Sequence, residues 1–166
     1  MNQIYLHLGS NLGNRMINLE TARGKIGFTI GRIVKKSSIY ETESWGFTGA
    51  DFLNQCILVE SQQKPLEILE KIMQIEADMG RERTRKRYEN RIIDIDILLY
   101  NTDILSVPGL EIPHKEMVKR RFVLEPLNEI ASGFIHPVLK SPIREIMSGC
   151  KDKSRIVRYT GPGRPE

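Results

Sequence analysis

The run Arg91-Ile92-Ile93-Asp94-Ile95-Asp96-Ile97-Leu98 constrains this chain more than any other part of it. Residues two apart on a β-strand point to the same side, so Ile93, Ile95 and Ile97 demand an apolar core on one face. Asp94 and Asp96 are then forced together on the other face, roughly 7 Å apart at Cα. Aspartate disfavours strands, and like charges so close repel. Two readings are open. One is an ordinary solvated strand face. The other is a pair of oxygen ligands for a hard divalent cation, which removes the repulsion and completes its shell with water and phosphate.

The segment just upstream carries the second anomaly. Of 25 Lys+Arg and 21 Asp+Glu, six bases and two acids fall between Arg81 and Arg91, and the rest of the chain balances at 19 of each. An excess confined to so short a stretch points to a local anionic ligand more than to a broad nucleic-acid or membrane face. Arginine meets phosphate through a planar fork of donors, so a loop carrying Arg81, Arg83 and Arg91, hinged at Gly80, suits a polyphosphate. A solvated basic loop or a nonspecific RNA contact is the alternative. Gly9-Ser10-Asn11-Leu12-Gly13-Asn14 lacks the Gly-Lys-Ser/Thr ending of a P-loop and reads as a tight turn in which Asn14 caps the helix that follows.

Periodicity supplies the order of elements. Ile4 to Leu8 reads as a strand and Arg15 to Ile26 as a helix, with Met16, Leu19, Ala22, Arg23 and Ile26 on one stripe. Ile30 to Tyr40 and Phe52 to Glu60 read as two strands joined by a long polar loop, Glu41 to Asp51. Pro65 opens a helix, Leu66 to Met79, that Gly80 stops, and Ile92 to Tyr100 is the next strand. The order β-α-β-β-α-β predicts an α+β fold: a ferredoxin-like core, an antiparallel sheet with helices packed on one face, plus C-terminal additions. Within these additions, Lys115 to Arg121 and Phe122 to Ala131 read as short helices and Ile156 to Tyr159 as an edge strand. At 166 residues and 40% hydrophobic the expectation is a single catalytic domain over residues 1–160, with 161–166 a flexible tail. No leader and no apolar run of membrane-spanning length is evident, so a soluble cytoplasmic protein is expected. Cys56 and Cys150 stand apart with no CxxC or Cys/His cluster, which argues against zinc and disulfides.

Phe52 and Asn54 share a strand face, an aromatic ring beside an amide with both donor and acceptor, as a flat heterocycle needs. Phe122 is a candidate for the opposite wall; each Phe reads equally as core. Trp45, the one tryptophan, either covers a ligand or anchors its loop. His114, after Pro113 and before Arg120 and Arg121, reads as a local hydrogen-bonding residue or as a phosphate contact.

Taken together these residues resemble the 6-hydroxymethyl-7,8-dihydropterin pyrophosphokinase family of the folate pathway. The resemblance spans roughly residues 4–131 and rests on Leu8-Gly9-Ser10-Asn11-Leu12-Gly13, Asp51-Phe52-Leu53-Asn54, Glu76 with Gly80-Arg81-Glu82-Arg83, the run from Arg91 to Leu98, and Pro113-His114 followed by Arg120-Arg121-Phe122. It implies a monomer that transfers the β,γ-diphosphate of ATP to the pterin hydroxymethyl group and releases AMP. It also implies two magnesium ions on Asp94 and Asp96, and ATP held by Glu76, Arg81, Arg83, Arg91, Ile97, His114 and Arg120. The pterin is implied to stack between Phe52 and Phe122, with Asn54 and the loop of Thr42, Glu43 and Trp45 reading its edge. Arg81, Arg83, Arg91, Asp94 and Asp96 are the implied catalytic set. This chain departs from some members in Lys115 after the His and in Tyr88 within the basic loop. The rival readings are an RNA-binding ferredoxin-like module and a metal-dependent nuclease or phosphatase. Neither nucleic acid nor membrane is expected as a partner.

Overall fold

The computed structural model describes residues 1–44, 46–81 and 90–161. The elements are β1 (Asn2–Ser10), α1 (Arg15–Thr29), β2 (Arg32–Lys36), β3 (Tyr40–Thr42), β4 (Phe52–Ser61), α2 (Pro65–Asp78), β5 (Asp94–Tyr100), β6 (Leu105–Val107), β7 (Leu110–Ile112), a 3-10 turn (Met117–Lys119), α3 (Arg121–Ala131), α4 (Ile143–Ser148) and β8 (Ile156–Arg158). Among the described residues the main sheet has six strands in the order β5-β1-β4-β3-β8, with β2 also pairing β4 and every pairing antiparallel. β1 and β2 flank β4, which is the split βαβ arrangement expected of a ferredoxin-like core.

Local chemistry sets the helix ends. The Asn14 side chain accepts from the Ile17 amide at 3.1 Å and starts α1, and Gly13 before it has φ +67°. α2 begins with Pro65, and Glu67 accepts from the Lys64 amide at 2.7 Å. Gly80, φ +87°, ends it in a conformation that side chains resist.

Register then decides which residues meet. Even residues of β1 (Ile4, Leu6, Leu8) pack with Leu53, Ile57 and Val59 of β4 and Ile93, Ile95 and Ile97 against Leu19 and Ile26 of α1 and Ile68, Ile72 and Ile75 of α2. The opposite face is also covered. Tyr5, Cys56, Leu58, Leu98 and Leu99 pack beneath Val123 and Leu127 of α3, Met117 and Ile143. The helices expected on one face are there, and the C-terminal additions form a second layer on the other.

Two irregularities shape the sheet. The stretch expected as one strand, Ile30 to Tyr40, is two, β2 and the start of β3, both antiparallel to β4; between them the Ser37 amide donates to the Cys56 carbonyl and its Oγ accepts from the Cys56 amide. In β5, Tyr5 pairs Leu99 while Leu6 pairs Ile97, so Leu98 is an extra residue and the alternation reverses beyond it. Leu98 and Leu99 therefore both enter the α3-side core, and Tyr100 joins the α1/α2 side. Among the described residues no helix is long and apolar enough to cross a membrane.

Candidate active site

α3 covers only part of its face of the sheet, and where its N-terminus stops a cavity of about 250 Å³ opens. Its floor follows from the register. Gly9 lies between Asp94 on β5 and Asn54 on β4, and His7 between Asp96 and Cys56. Gly9 adds no side chain to the floor: a Cβ there would stand 3.5 Å from Phe52 and 3.6 Å from Asn54 Oδ1, inside the cavity.

One end of the cavity is largely aromatic. Phe52 from β4 and Phe122 from α3 line it together with Thr42, Glu43 and Phe47. The Phe47 and Phe52 rings meet edge to face, centroids 6.4 Å apart. The Asn54 amide donates to Thr42 Oγ1 at 2.7 Å and to the Tyr40 carbonyl at 3.3 Å, which fixes its orientation.

The other end is ionic. Asp94 is bracketed by Arg81 at 3.0 Å and Arg91 at 3.1 Å. Arg81 in turn pairs with the buried carboxylate of Glu76, which also accepts from the Ile95 amide at 3.1 Å. Asp96 faces His114 Nε2 at 3.8 Å. Burial, and then the charge of Asp94, push the Asp96 carboxyl up to about 8. His114 is locked by its amide, which donates to the Leu98 carbonyl at 2.9 Å, and by its Nδ1, which accepts from the Glu116 amide at 3.1 Å. The local hydrogen-bonding role read for His114 is present at one nitrogen, and the other nitrogen faces Asp96. Burial, then Arg120, lowers its pKa. Arg120 also lines the cavity, its guanidinium 5.7 Å from the Phe122 ring centre.

Thr42, Glu43, Phe52, Asn54, Phe122, Arg91, Asp94, Asp96, His114 and Arg120 are accordingly brought to one cavity. Glu76 and Arg81 stand behind Asp94 and do not line it. The Ile97 side chain is buried in the α1/α2-side core, as strand alternation requires, which leaves its backbone as the part a nucleotide can meet. Trp45 and Arg83 lie outside the described residues. Sequence reasoning passed over His7 and Phe47. His7 carries a signal, an imidazole inside the apolar run Ile4 to Leu8; Phe47, in an irregular loop, carries none.

A second network ties the loops around the cavity. Asn11 donates to the Ala50 carbonyl at 3.0 Å and to Asn90 Oδ1 at 2.7 Å, and accepts from the Arg91 amide at 2.6 Å. The Gly-Ser-Asn turn is therefore a junction of three segments as well as a helix start.

The family model described as 7,8-dihydro-6-hydroxymethylpterin-pyrophosphokinase matches residues 5–132. A 2-amino-4-hydroxy-6-hydroxymethyldihydropteridine pyrophosphokinase of Aquifex aeolicus is 38% identical over 146 residues, covering 87% of this chain and 90% of the relative. Proteins of the same description from Porphyromonas gingivalis and Bacillus subtilis are each 41% identical, covering 84% and 78% of this chain and 97% and 79% of the relatives. Among solved structures, HPPK-DHPS in complex with substrates superposes with a TM-score of 0.73 at 18% identity, over 89% of this chain. Plasmodium falciparum HPPK-DHPS superposes with a TM-score of 0.71 at 22% identity, also over 89%. The chain spans 43% of each of those two solved chains, a likeness of fold.

Proposed function

The chain belongs to the 7,8-dihydro-6-hydroxymethylpterin-pyrophosphokinase family, and from that membership we propose that it transfers the β,γ-diphosphate of ATP to the hydroxymethyl group of 6-hydroxymethyl-7,8-dihydropterin, releasing AMP, in folate biosynthesis. The observation that carries this reading to the residues is the two-ended cavity. Aromatic side chains and a fixed amide suit a flat heterocycle, and carboxylates with arginines within the same space suit a metal-bound polyphosphate.

Phe52 and Phe122 are assigned as the walls of the pterin site, with Asn54 and the Thr42–Glu43 segment at its edge and Trp45 in the same loop. Arg91, His114 and Arg120 are assigned to the phosphates, together with Arg81 and Arg83. Arg81 and Arg91 neutralise Asp94 in this structure, so both already stand beside the place where phosphate charge arrives. Glu76 acts through Arg81, holding it at the edge of the site.

Asp94 and Asp96 are assigned as the residues that would hold two magnesium ions. The donor set fits. Among the described residues no group of three or more His, Cys, Asp or Glu could close a protein-only metal site, and magnesium characteristically takes one or two carboxylates and completes its shell with water and phosphate. Burial and the charge of Asp94 raise the pKa of Asp96, and a cation bound between the two carboxylates would offset both. When bound, magnesium neutralises phosphate charge as it develops and polarises the phosphoryl oxygens. The chain itself aligns hydroxyl and phosphate and directs fixed donors at the charge, and this positioning carries most of the rate.

A monomeric cytoplasmic enzyme of one catalytic domain, with no nucleic-acid partner, belongs to the same proposal. Its single domain is supported by two hydrophobic cores that both draw on β1, β4 and β5. Incubation with ATP, magnesium and the reduced pterin tests the activity. Pterin-dependent AMP is expected. ADP or free phosphate would indicate another phosphoryl transfer, and no turnover with tight RNA binding would indicate the binding module.

A further inference from the structure

His7 is an imidazole inside the apolar stretch of β1, 2% exposed, with both ring nitrogens shielded from water and without a well-formed hydrogen bond among the described residues, although the Asn54 side chain stands close enough to pull its pKa upward against burial. Buried polar groups are almost always paired, and those around it are. Asn54 bonds Thr42, Gln55 bonds Arg23 and the Ser37 carbonyl, and Asn11 bonds Asn90. An apolar side chain of similar volume would pack against Phe122 without leaving two nitrogens unsatisfied, so stability supplies no reason for an imidazole here.

Position supplies one. His7 lines the cavity, and its Cε1 lies 3.5 Å from the point that a Cβ on Gly9 would occupy. The Phe52 ring and Asn54 Oδ1 border the same point. The Phe122 ring sits 5.5 Å from the imidazole, tilted by 59°. Burial holds the ring neutral, pushing its pKa down to about 4 against the influence of Asp94, and a neutral imidazole presents one donor and one acceptor.

We propose that His7 hydrogen-bonds the polar edge of the acceptor heterocycle and so helps to select which ring the cavity takes. This rests on the diphosphate-transfer reading above. A flat ring seated over Gly9 between Phe52 and Phe122 has Asn54 and His7 at its edge. Turning Phe122 from its present tilt to lie along that ring uncovers the imidazole.

Three histidines make the test direct, because His7, His114 and His136 can be resolved as ring-nitrogen signals in 15N-labelled protein. Saturation with 6-hydroxymethylpterin, magnesium and a non-hydrolysable ATP analogue should shift the His7 nitrogens relative to the nucleotide alone. His136, whose Nδ1 accepts from the Val138 and Leu139 amides, should stay in place. His7→Phe, which keeps the ring and removes the nitrogens, should raise the acceptor KM about tenfold, the worth of one hydrogen bond, while leaving the KM for ATP unaltered and raising the Tm of the free protein. His7→Gln should recover part of the acceptor affinity. Unshifted His7 nitrogens in the saturated protein, or an unchanged acceptor KM in folded His7→Phe, would overturn the assignment. A wild-type protein that makes no AMP with the pterin would overturn the functional reading itself, whereas full turnover with silent His7 tests would overturn this inference alone.

Discussion

Asp94 and Asp96 share a face because a strand alternates, but their environments differ. Asp94 has two arginines within 3.1 Å, and Asp96 has a neutral-leaning histidine at 3.8 Å and a pKa raised to about 8. If both hold magnesium, Asp94→Ala and Asp96→Ala should each lower kcat by roughly 10²-fold or more, as losing a charge-stabilising group at a reacting centre does. Circular dichroism should be unchanged, and near-normal turnover in either variant would remove the metal assignment. Glu129 illustrates a residue whose charge serves the fold. Its carboxylate accepts from the Ser38 amide at 3.0 Å, Ser38 Oγ at 2.7 Å and Tyr40 Oη at 2.6 Å, tying α3 to the link between β2 and β3. Burial opposes its ionisation, but the Tyr40 and Ser38 hydrogen bonds, with Arg158, outweigh burial and hold its pKa below the ordinary value. A depressed carboxyl stabilises the fold above its unfolded pKa, and this is lost as pH falls through the folded pKa. The Tm advantage of wild type over Glu129→Gln should therefore shrink as pH is lowered from 6 to about 3, within the range where carboxyls titrate. A gap that stays constant with pH would disprove the linkage.

At the scale of elements, glycines in and after α1 separate propensity from packing. A Cβ at Gly24 or Gly27, both inside the helix, meets nothing within 4 Å. A Cβ at Gly31, where the chain passes β4 to enter β2, lands on the Glu60 carbonyl oxygen. Gly24→Ala and Gly27→Ala should each add about 0.5–1 kcal/mol of stability, and Gly31→Ala should remove about 1–3 kcal/mol through backbone displacement. Urea titrations at unchanged m-value read all three, and a stable Gly31→Ala would contradict the close approach. The bulge at Leu98 is the other element-scale device. It leaves both aspartates on the cavity side while Leu98 and Leu99 close the core under α3, so one strand serves a site at one end and packing at the other.

The whole molecule is a sheet covered on both faces, with the site in the gap that α3 leaves. Since the gap is formed by segments from β1, β3, β4, β5 and the stretch before α3, ligand binding joins parts distant in sequence. Magnesium-ATP at about a hundred times its Kd should stabilise the native state by about 2.7 kcal/mol, a Tm rise of roughly 5–10 °C in a chain of this size. Asp94→Ala should abolish most of that rise, and an equal rise in the variant would place the metal elsewhere.

Much of this was legible in the residues. Ile93, Ile95 and Ile97 could be buried in only one way, which set Asp94 beside Asp96, and Asn14, Pro65 and Gly80 marked helix ends through local hydrogen bonding and backbone geometry. The order of strands and helices followed from their periods, and with it the ferredoxin-like core. Non-local pairing decided the rest. The sequence does not reveal that the stretch from residue 30 to 40 pairs with β4 as two separate strands, that Leu98 bulges, or that α3 makes a second layer, because each depends on partners far along the chain. The same holds for the site. Alternation placed the carboxylates, but only the register of β1 between β5 and β4 set Gly9 between Asp94 and Asn54 and left His7 beside Phe122 at the floor of the cavity.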